Sequence, residues 1–169
     1  MNNNKNSWEH HQVDLLIPTE SDISDMVSFF VDQVWELKGR GLCTREEEMD
    51  YIDWHTAQSL REKISDPTRF FWLIRDTSGH LIAYFESKQH SQYSDTQVVQ
   101  WILVDEFHRN TGLSKILRRE FYNWCQSHGY TSTWTYVHQN NAESQAAHEN
   151  LGELRTRVGE KTLFVLSLK

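Results

Sequence analysis

Two spacings of apolar residues alternate along this chain and predict a succession of helices and strands. Between positions 23 and 37, apolar side chains recur every three or four residues, as they do on one face of a helix. The stretches 69–75 and 81–88 are short apolar runs on either side of a turn that contains Gly79, which predicts a β-hairpin. A second helical pattern fills positions 112–128 and ends at Gly129.

The remaining elements follow from capping and turn residues. Thr19 with Asp22, and Thr44 with Glu47, have the spacing of capping boxes, which mark helix starts. The second of these helices is predicted to run to about position 65. We predict further strands at 13–17, 97–104, 131–137, 154–158 and 162–168, and a short helix at 141–151. The order is β-α-α-β-β-β-α-β-α-β-β, which indicates an α+β fold with a central mixed sheet.

The length of 169 residues suits one domain. We expect residues 1–11, rich in Asn and His, to be a disordered tail and residues 12–169 to form a single domain. Hydrophobic residues make up 38% and aromatic residues 12% of the chain, which excludes a disordered protein. No apolar run approaches the roughly 18 residues of a membrane helix, and no apolar stretch follows the first residues. We therefore expect an intracellular, cytoplasmic protein, without a disulfide framework because it has only two cysteines.

The net charge and its distribution along the chain restrict the classes of binding partner further. The net charge of −7 argues against nonspecific binding to nucleic acid, which requires a basic surface. Acidic residues dominate the first hundred positions, and a locally basic stretch follows at Arg109, Lys115, Arg118 and Arg119. This distribution suits a small anionic ligand at one place and a cationic one at another, although ordinary surface charge is the simpler explanation.

The most informative stretch is 101–117, in which a buried strand leads through a loop into a helix. The first N–H groups of a helix lack partners within it and lie at the positive end of its dipole, so they can hold a diphosphate. Gly112 permits a close approach to the backbone, Ser114 is small, and Arg109 can add charge-assisted contacts. A plain β-α turn is the alternative, but the position between a strand and a helix favours the phosphate site.

These residues resemble the first signature of the GNAT superfamily of acyl-CoA-dependent N-acetyltransferases. That signature has a strand valine, then (Gln/Arg)-x-x-Gly-x-(Gly/Ala), then a leucine-rich helix. Val104, Arg109 and Gly112 match it at the family spacing, and Ser114 is a mild departure in the last position.

A second GNAT signature, Asn-x-x-Ala-x-x-x-Tyr-Glu-Lys-Leu-Gly-Phe, is similar to positions 141–153 in the same register. Four positions match, namely Asn141, Glu149, Leu151 and Gly152. Three depart from the family, with Ser144 for Ala, His148 for Tyr and Glu153 for Phe. Two signatures at their usual separation, in the right order of elements, make the resemblance span about residues 12–168.

The resemblance implies a three-layer fold whose central mixed sheet is mostly antiparallel, and a binding mode for acetyl-CoA. The strands at 97–104 and 131–137 would splay apart, and the pantetheine arm would lie between them. The implied CoA-binding residues are Ile102, Leu103, Val104, Arg109, Asn110, Thr111, Gly112, Leu113, Ser114 and Asn141. Asn141 is equally well explained, together with Asn140, as the cap of the following helix.

Such enzymes transfer the acetyl group directly from the thioester to an amine, and no His/Cys spacing here suggests a metal. The amide of Val104 would stabilise the oxyanion. His148 replaces the family tyrosine and would protonate the leaving thiolate; a polar contact to pantetheine and an inert histidine are the alternatives. Glu86 is a candidate general base, as are Asp105 and Glu106, although a solvated carboxylate is the simpler interpretation of each.

The acceptor side is implied by the family to be walled by the first two helices. Trp35, Glu46, Glu47 and Tyr51 are the candidate acceptor residues, and the acidic run at 46–48 would favour a cationic amine. A solvated first turn of a helix explains the same carboxylates.

These observations predict an N-acetyltransferase that moves acetyl from acetyl-CoA to a primary amine, most simply a small cationic one. A CoA-binding regulatory module without catalysis is the alternative, as is an enzyme acting on a protein or peptide amine. The expected partner is a small-molecule or peptide substrate, with no nucleic acid and no membrane. The identity of the acceptor and the oligomeric state stay open, a homodimer being one option.

Overall fold

The computed structural model describes residues 13–149 and 154–168 of the chain. Over these residues, five helices and six strands occur in the order α1 Ile23–Gly39, α2 Arg45–Asp53, α3 Ala57–Ile64, β1 Arg69–Arg75, β2 Leu81–Gln89, β3 Thr96–Val104, α4 Leu113–Ser127, β4 Ser132–His138, α5 Ala142–Glu149, β5 Leu154–Val158 and β6 Lys161–Ser167. Within the described ranges, no helix has the length and apolar character needed to cross a bilayer.

The strands form one mixed sheet in the order β1-β2-β3-β4-β6-β5. All neighbouring pairs are antiparallel except β3 and β4, which run parallel. The predicted α+β fold with a mixed, mostly antiparallel sheet is therefore confirmed.

Helices cover both faces of this sheet, and each face has its own hydrophobic cluster. On one face, Met26 and Phe30 of α1 pack with Leu60 of α3 against Tyr84 of β2. On the other face, Phe121 of α4 belongs to a cluster with residues of β1, β2 and β3. The helices α1 and α4 each turn an apolar face, with apolar residues spaced three or four positions apart, towards the sheet, which gives the three layers.

The parallel pair β3–β4 is joined over only half its length. Thr96–Val99 pairs with Ser132–Thr135, and the pairing stops there. At that point β3 contains a bulge, because Glu86 pairs with Trp101 while Ser87 pairs with Val99. Beyond the bulge β3 stays with β2 and β4 stays with β6, so that a gap opens in the middle of the sheet. This is the splay that the resemblance implies.

Two predicted elements differ from the structure near the start of the chain. The segment 13–17 is not a strand, because its single ladder contact is the bridge between Leu16 and Leu73. Pro18, which has no N–H to donate, follows directly and limits further pairing. The predicted disordered tail at 1–11 lies outside the described residues.

The helix predicted from 44 to about 65 is two helices, α2 and α3. Thr56 starts α3, because its hydroxyl accepts a hydrogen bond from the amide of Ser59 at 3.3 Å. Between the helices, the ring of His55 is drawn into the core and stacks on Phe30. A buried polar side chain at the break therefore redirects the chain where the sequence pattern indicated a continuous helix.

Candidate active site

A first cavity of about 510 Å³ lies where the end of β3, the start of α4, α1 and α5 meet. It brings together nine of the ten residues that the sequence assigned to CoA: Ile102, Leu103, Val104, Arg109, Asn110, Gly112, Leu113, Ser114 and Asn141. The tenth, Thr111, is buried beside it. We call this the cofactor cavity.

The loop before α4 has a backbone conformation that explains its glycine. Gly112 has φ +94°, in the left-handed region that side chains with a Cβ avoid, and Asn110 also has a positive φ of 58°. The turn starts α4 at Leu113, and the carbonyl of Gly112 accepts the amide of Ile116 at 3.0 Å. By helix geometry, the amides of Leu113 and Ser114 have no acceptor within the helix. They are donors at the positive end of its dipole, beside the cavity.

The edge of β3 contributes a second row of backbone groups. The amide of Asp105 donates to the carbonyl of Ile82 at 2.9 Å, so the adjacent pair of Val104 and Ala83 is one whose members do not bond each other. The N–H and C=O of Val104 therefore point away from β2, towards the gap left by β4. The same alternation turns the amide of Ile102 in that direction.

The side chain of Arg109 is held by contacts within the protein and does not extend into the cavity. Its two terminal nitrogens form an ion pair with both carboxylate oxygens of Glu36, and Nη2 also donates to Gln33 Oε1 at 3.1 Å. Its Nε donates to the carbonyl of Val104 at 3.0 Å. The hydrogen bond from Arg109 lowers the pKa of Glu36. Arg109 thus ties α1 to the end of β3, and Arg40 adds a further cation to the lining.

Asn141 serves as a helix cap and also lines the cavity. Its Oδ1 accepts a hydrogen bond from the amide of Ser144 at 3.1 Å, directly before α5 begins. It borders the gap between β3 and β4 as well. The two interpretations that the sequence left open are compatible, because the capped Oδ1 leaves the side-chain amide NH₂ for a ligand.

A second cavity, of about 690 Å³, opens on the side of α2 and α3; we call it the acceptor cavity. It shares Leu37, Ile102, Leu103, Asn141 and Ser144 with the cofactor cavity. The two cavities therefore meet at the gap in the sheet. Four aromatic side chains line the acceptor cavity, namely Tyr51, Trp54, Trp101 and Tyr136.

Glu86 lies at the wall of the acceptor cavity and is almost completely buried, with an exposed fraction of 1%. Its Oε1 forms an ion pair with Arg69 and lies 3.6 Å from Lys63 Nζ. Its Oε2 accepts a hydrogen bond from the hydroxyl of Tyr84 at 2.7 Å and lies 3.3 Å from His55 Nε2. One buried carboxylate thus holds two cations and two further polar groups.

The protonation states of this network follow from its contacts. Burial alone would raise the pKa of Glu86, but the contact with His55, the charge of Lys63 and the Tyr84 hydroxyl lower it to about 2. Burial lowers the pKa of His55, which keeps its ring neutral at neutral pH. Its Nδ1 lies 2.9 Å from the carbonyl oxygen of Tyr51, and its Nε2 lies 3.3 Å from both Lys63 Nζ and Glu86 Oε2. Glu86 is an anion whose proton affinity is too low for an efficient general base at neutral pH.

The structure does not bring His148 into either cavity. Its ring has an exposed fraction of 1% and stacks on Phe164 of β6, with ring centroids 4.9 Å apart. Among the described residues that line the cavities, the α5 side chains are those of positions 143, 144, 146 and 147. This position does not favour the general-acid role.

Of the four candidate acceptor residues, only Tyr51 lines the acceptor cavity. Trp35 is exposed on the outer side of α1, and Glu46 is exposed at the start of α2. Glu47 accepts the amide of Thr44 at 2.8 Å as the capping box requires, and Glu48 pairs with Lys38 at 2.6 Å. The acidic run is therefore a helix start with its own local partners.

The sequence did not point to several other residues that line this cavity. Lys63, Arg69, Trp101 and Lys161 come from four different elements. No local spacing links them, since they meet only through the sheet order. The described residues contain no group of three His, Cys, Asp or Glu side chains suited to hold a metal ion.

Comparison with known proteins identifies the protein family of this chain. The family model of the acetyltransferase (GNAT) family matches residues 30–152. The chain therefore belongs to the GNAT acetyltransferase family, and it is an acyltransferase whose acetyl transfer uses CoA. Among curated protein sequences, none matches this chain.

Solved structures are similar in fold at low sequence identity. PaiA N-acetyltransferase from Thermoplasma acidophilum, in complex with coenzyme A, aligns with a TM-score of 0.80 at 14% identity, covering 92% of this chain and 99% of that one. An acetyltransferase from Thermus thermophilus aligns with a TM-score of 0.71 at 20% identity, covering 93% and 97%. The ribosomal-protein-S18-alanine N-acetyltransferase from Escherichia coli aligns with a TM-score of 0.66 at 12% identity, covering 94% and 95%. These likenesses concern the fold.

Proposed function

We propose that this protein transfers the acetyl group of acetyl-CoA to the primary amine of a small molecule or peptide. The observation that carries the proposal is the meeting of the two cavities at the gap between β3 and β4. A thioester carbonyl at this junction is within reach of an amine that enters from the acceptor cavity. Direct transfer needs the two reactants side by side in one cleft.

The residues of the cofactor cavity suit CoA in two ways. The amides of Leu113 and Ser114, at the start of α4, are donors for the diphosphate, and the conformation of Gly112 allows the close approach. The backbone of Ile102 and Val104, turned into the gap, is available to pair with the amides of the pantetheine arm. Bound acetyl-CoA supplies the activated acetyl group.

The amide of Val104 is the proposed donor for the oxyanion that forms as the amine attacks. It points into the gap, and the same residue's carbonyl is held by Arg109, so the strand end is fixed in place. A donor that is oriented before the reaction needs no rearrangement during it. We assign Glu86 a positioning role, in which it holds Arg69 and Lys63 at the cavity wall, rather than the role of general base.

One observation favours the alternative of a CoA-binding module without catalysis. Two of the side chains that the sequence offered for proton transfer, His148 and Glu86, are a buried stacked ring and a carboxylate with a pKa of about 2. An enzyme would then rely on solvent or on another group, such as His138 at the acceptor cavity, to take and return protons.

A thiol-release assay with acetyl-CoA and a panel of amines separates the two functions. We expect amine-dependent release of free thiol together with an acetylated product seen by mass spectrometry. Calorimetric binding of CoA, without thiol release for any amine, would support the regulatory module. Absence of both binding and release would contradict the proposed function altogether.

A further inference from the structure

The acceptor cavity contains more positive than negative groups. Among the residues that the structure describes, its lining includes three cationic side chains, Lys63, Arg69 and Lys161, and a single carboxylate, Glu86. The carboxylates that the sequence suggested for this wall lie on α2 and serve the capping box and the pair with Lys38. The charge of the cavity is therefore opposite to that expected for binding a polycation.

Glu86 cannot provide a free anion for an acceptor. Both of its oxygens are engaged, one by Arg69 and Lys63 and the other by Tyr84 and His55. With an exposed fraction of 1%, the carboxylate is shielded by these partners. It neutralises one of the two cations beside it, and neutral His55 adds no charge of its own.

Arg69 and Lys161 have N–H donors that are not engaged by a carboxylate of the acceptor cavity. Arg69 uses Nη1 for Glu86, and its Nε lies 3.6 Å from Asp66, which is outside the cavity lining. Its Nη2 has no hydrogen-bond partner among the described residues. Lys161, at the start of β6, has no carboxylate within 4.0 Å over the same residues.

Much of the remaining lining is aromatic or apolar, and its polar members are Ser59, Gln100, His138, Asn141 and Ser144. Tyr51, Trp54 and Trp101 line the acceptor cavity together with Lys63 and Arg69. Tyr51 packs edge-on against Trp101, with ring centroids 4.9 Å apart. The volume of about 690 Å³ is typical of sites for small organic ligands. β1, which carries Arg69, is two strands from β3, or roughly 10 Å at the usual strand spacing.

We infer that the acceptor amine carries a carboxylate at its far end, bound by the cationic wall of Lys63 and Arg69 on the α3 and β1 side of the gap. The amine would lie at the gap in the sheet, and an apolar body of several carbon atoms would rest on the aromatic side chains. This inference rests on the proposed function and names its substrate class. It predicts that a polyamine is a poor substrate, because it would place a second cation against this wall.

Three probes of equal chain length test the inference: 6-aminohexanoate, hexylamine and 1,6-diaminohexane. Their reacting amines are alike, and only the far end changes, from carboxylate to methyl to ammonium. We expect kcat/KM to fall in that order, by at least about tenfold from first to last, as a modest difference in electrostatic free energy gives. The preference should shrink as ionic strength rises.

Two variants of similar chemistry refine the test. Lys63→Gln removes a cation from this wall and should reduce the preference for 6-aminohexanoate over hexylamine several-fold, with CoA affinity unchanged. Arg119→Gln is the matched control, because Arg119 is exposed on α4 and lies outside both cavity linings. It should leave the preference as in the wild type.

Calorimetric titration with hexanoate and with hexylamine gives a readout that does not need turnover. We expect hexanoate to bind more tightly and Lys63→Gln to weaken its binding. Equal or stronger binding of hexylamine, or faster acetylation of 1,6-diaminohexane, would overturn the inference while leaving the proposed function intact. Failure of the proposed function would instead appear as absence of CoA binding and of thiol release with all three amines.

Discussion

The two halves of the cleft are built by different means. The cofactor half is made largely of backbone, namely the first amides of α4 and the edge of β3 beyond its pairing with β4. The acceptor half is made largely of side chains from α2, α3 and five strands of the sheet. Backbone donors set a fixed shape that any sequence with the right turn can form, whereas side chains at the other end can vary without disturbing it. The cofactor half therefore suits a common cosubstrate, whereas the acceptor half suits an acceptor particular to this chain.

The largest effect should come from the buried carboxylate of the acceptor half. Glu86→Gln would leave the half-buried Lys63 without a carboxylate partner and Arg69 with only its 3.6 Å contact to Asp66, and breaking such a pair typically costs about 3–5 kcal/mol of unfolding free energy. Urea denaturation measures this loss. Glu106→Gln, at an exposed carboxylate, is the control and should change stability by less than about 0.5 kcal/mol. A loss for Glu86→Gln as small as the control's would show that the network does not hold this half together.

The same carboxylate predicts how stability depends on pH. The pKa of Glu86 is lowered from 4.5 to about 2 on folding, so its contribution is complete above pH 4.5 and is lost as the pH falls towards 2. The contribution is on the order of 3 kcal/mol. Acid titration of the unfolding free energy should show this loss in the wild type and a shallower one in Glu86→Gln. Parallel curves for the two proteins would exclude Glu86 as the source.

A smaller effect is expected from the ion pair at the cofactor half. Arg109→Ala removes charged hydrogen bonds to Glu36 and should lower the unfolding free energy by about 1–3 kcal/mol. Its effect on CoA affinity should stay below about tenfold, because backbone amides provide most of the proposed contact. Calorimetry and denaturation of the same variant measure both quantities. Loss of CoA binding with unchanged stability would mean that Arg109 binds the diphosphate directly.

The smallest effect should be that of His148→Phe. The ring is buried against Phe164, so an aromatic replacement keeps the stacking, and we expect kcat to stay within about threefold of the wild type. A general acid would be worth about 10²–10⁴ in kcat. The pH profile of kcat for both proteins decides between the two roles, since a drop of that size with loss of an alkaline limb would restore His148 as the acid.

The sequence predicted the turn before α4 because the determinants of that turn are local. Gly112 and Ser114 lie three and five positions after Arg109, and their spacing encodes a turn that the structure shows with φ +94° at the glycine. The paired strands and α4 follow in the same way from short-range periodicity. Lys63 and Lys161 lie almost a hundred positions apart and share a cavity only because β6 sits beside β4.

The candidate residues that lie outside the two cavities do so for physical reasons of the same kind. Glu46 and Glu47 were assigned to the acceptor by their charge, but a capping box uses such residues to start a helix. His148 was assigned by its position in a signature, and the packing of α5 on β6 directs its ring inwards. Sequence position identifies the element, but which side of the element faces the cleft depends on tertiary packing.

The proposed binding of the CoA diphosphate at the start of α4 can be tested at Ser114. An aspartate in the first turn of a helix interacts favourably with the helix dipole, so Ser114→Asp should fold at least as stably as the wild type. Its charge would nevertheless lie against the diphosphate, at a cost of about 3 kcal/mol for two like charges some 5 Å apart near a protein surface. We predict that calorimetric titration shows CoA affinity about 100-fold weaker in Ser114→Asp and nearly unchanged in Ser114→Ala. Wild-type affinity in a folded Ser114→Asp protein would contradict the claim.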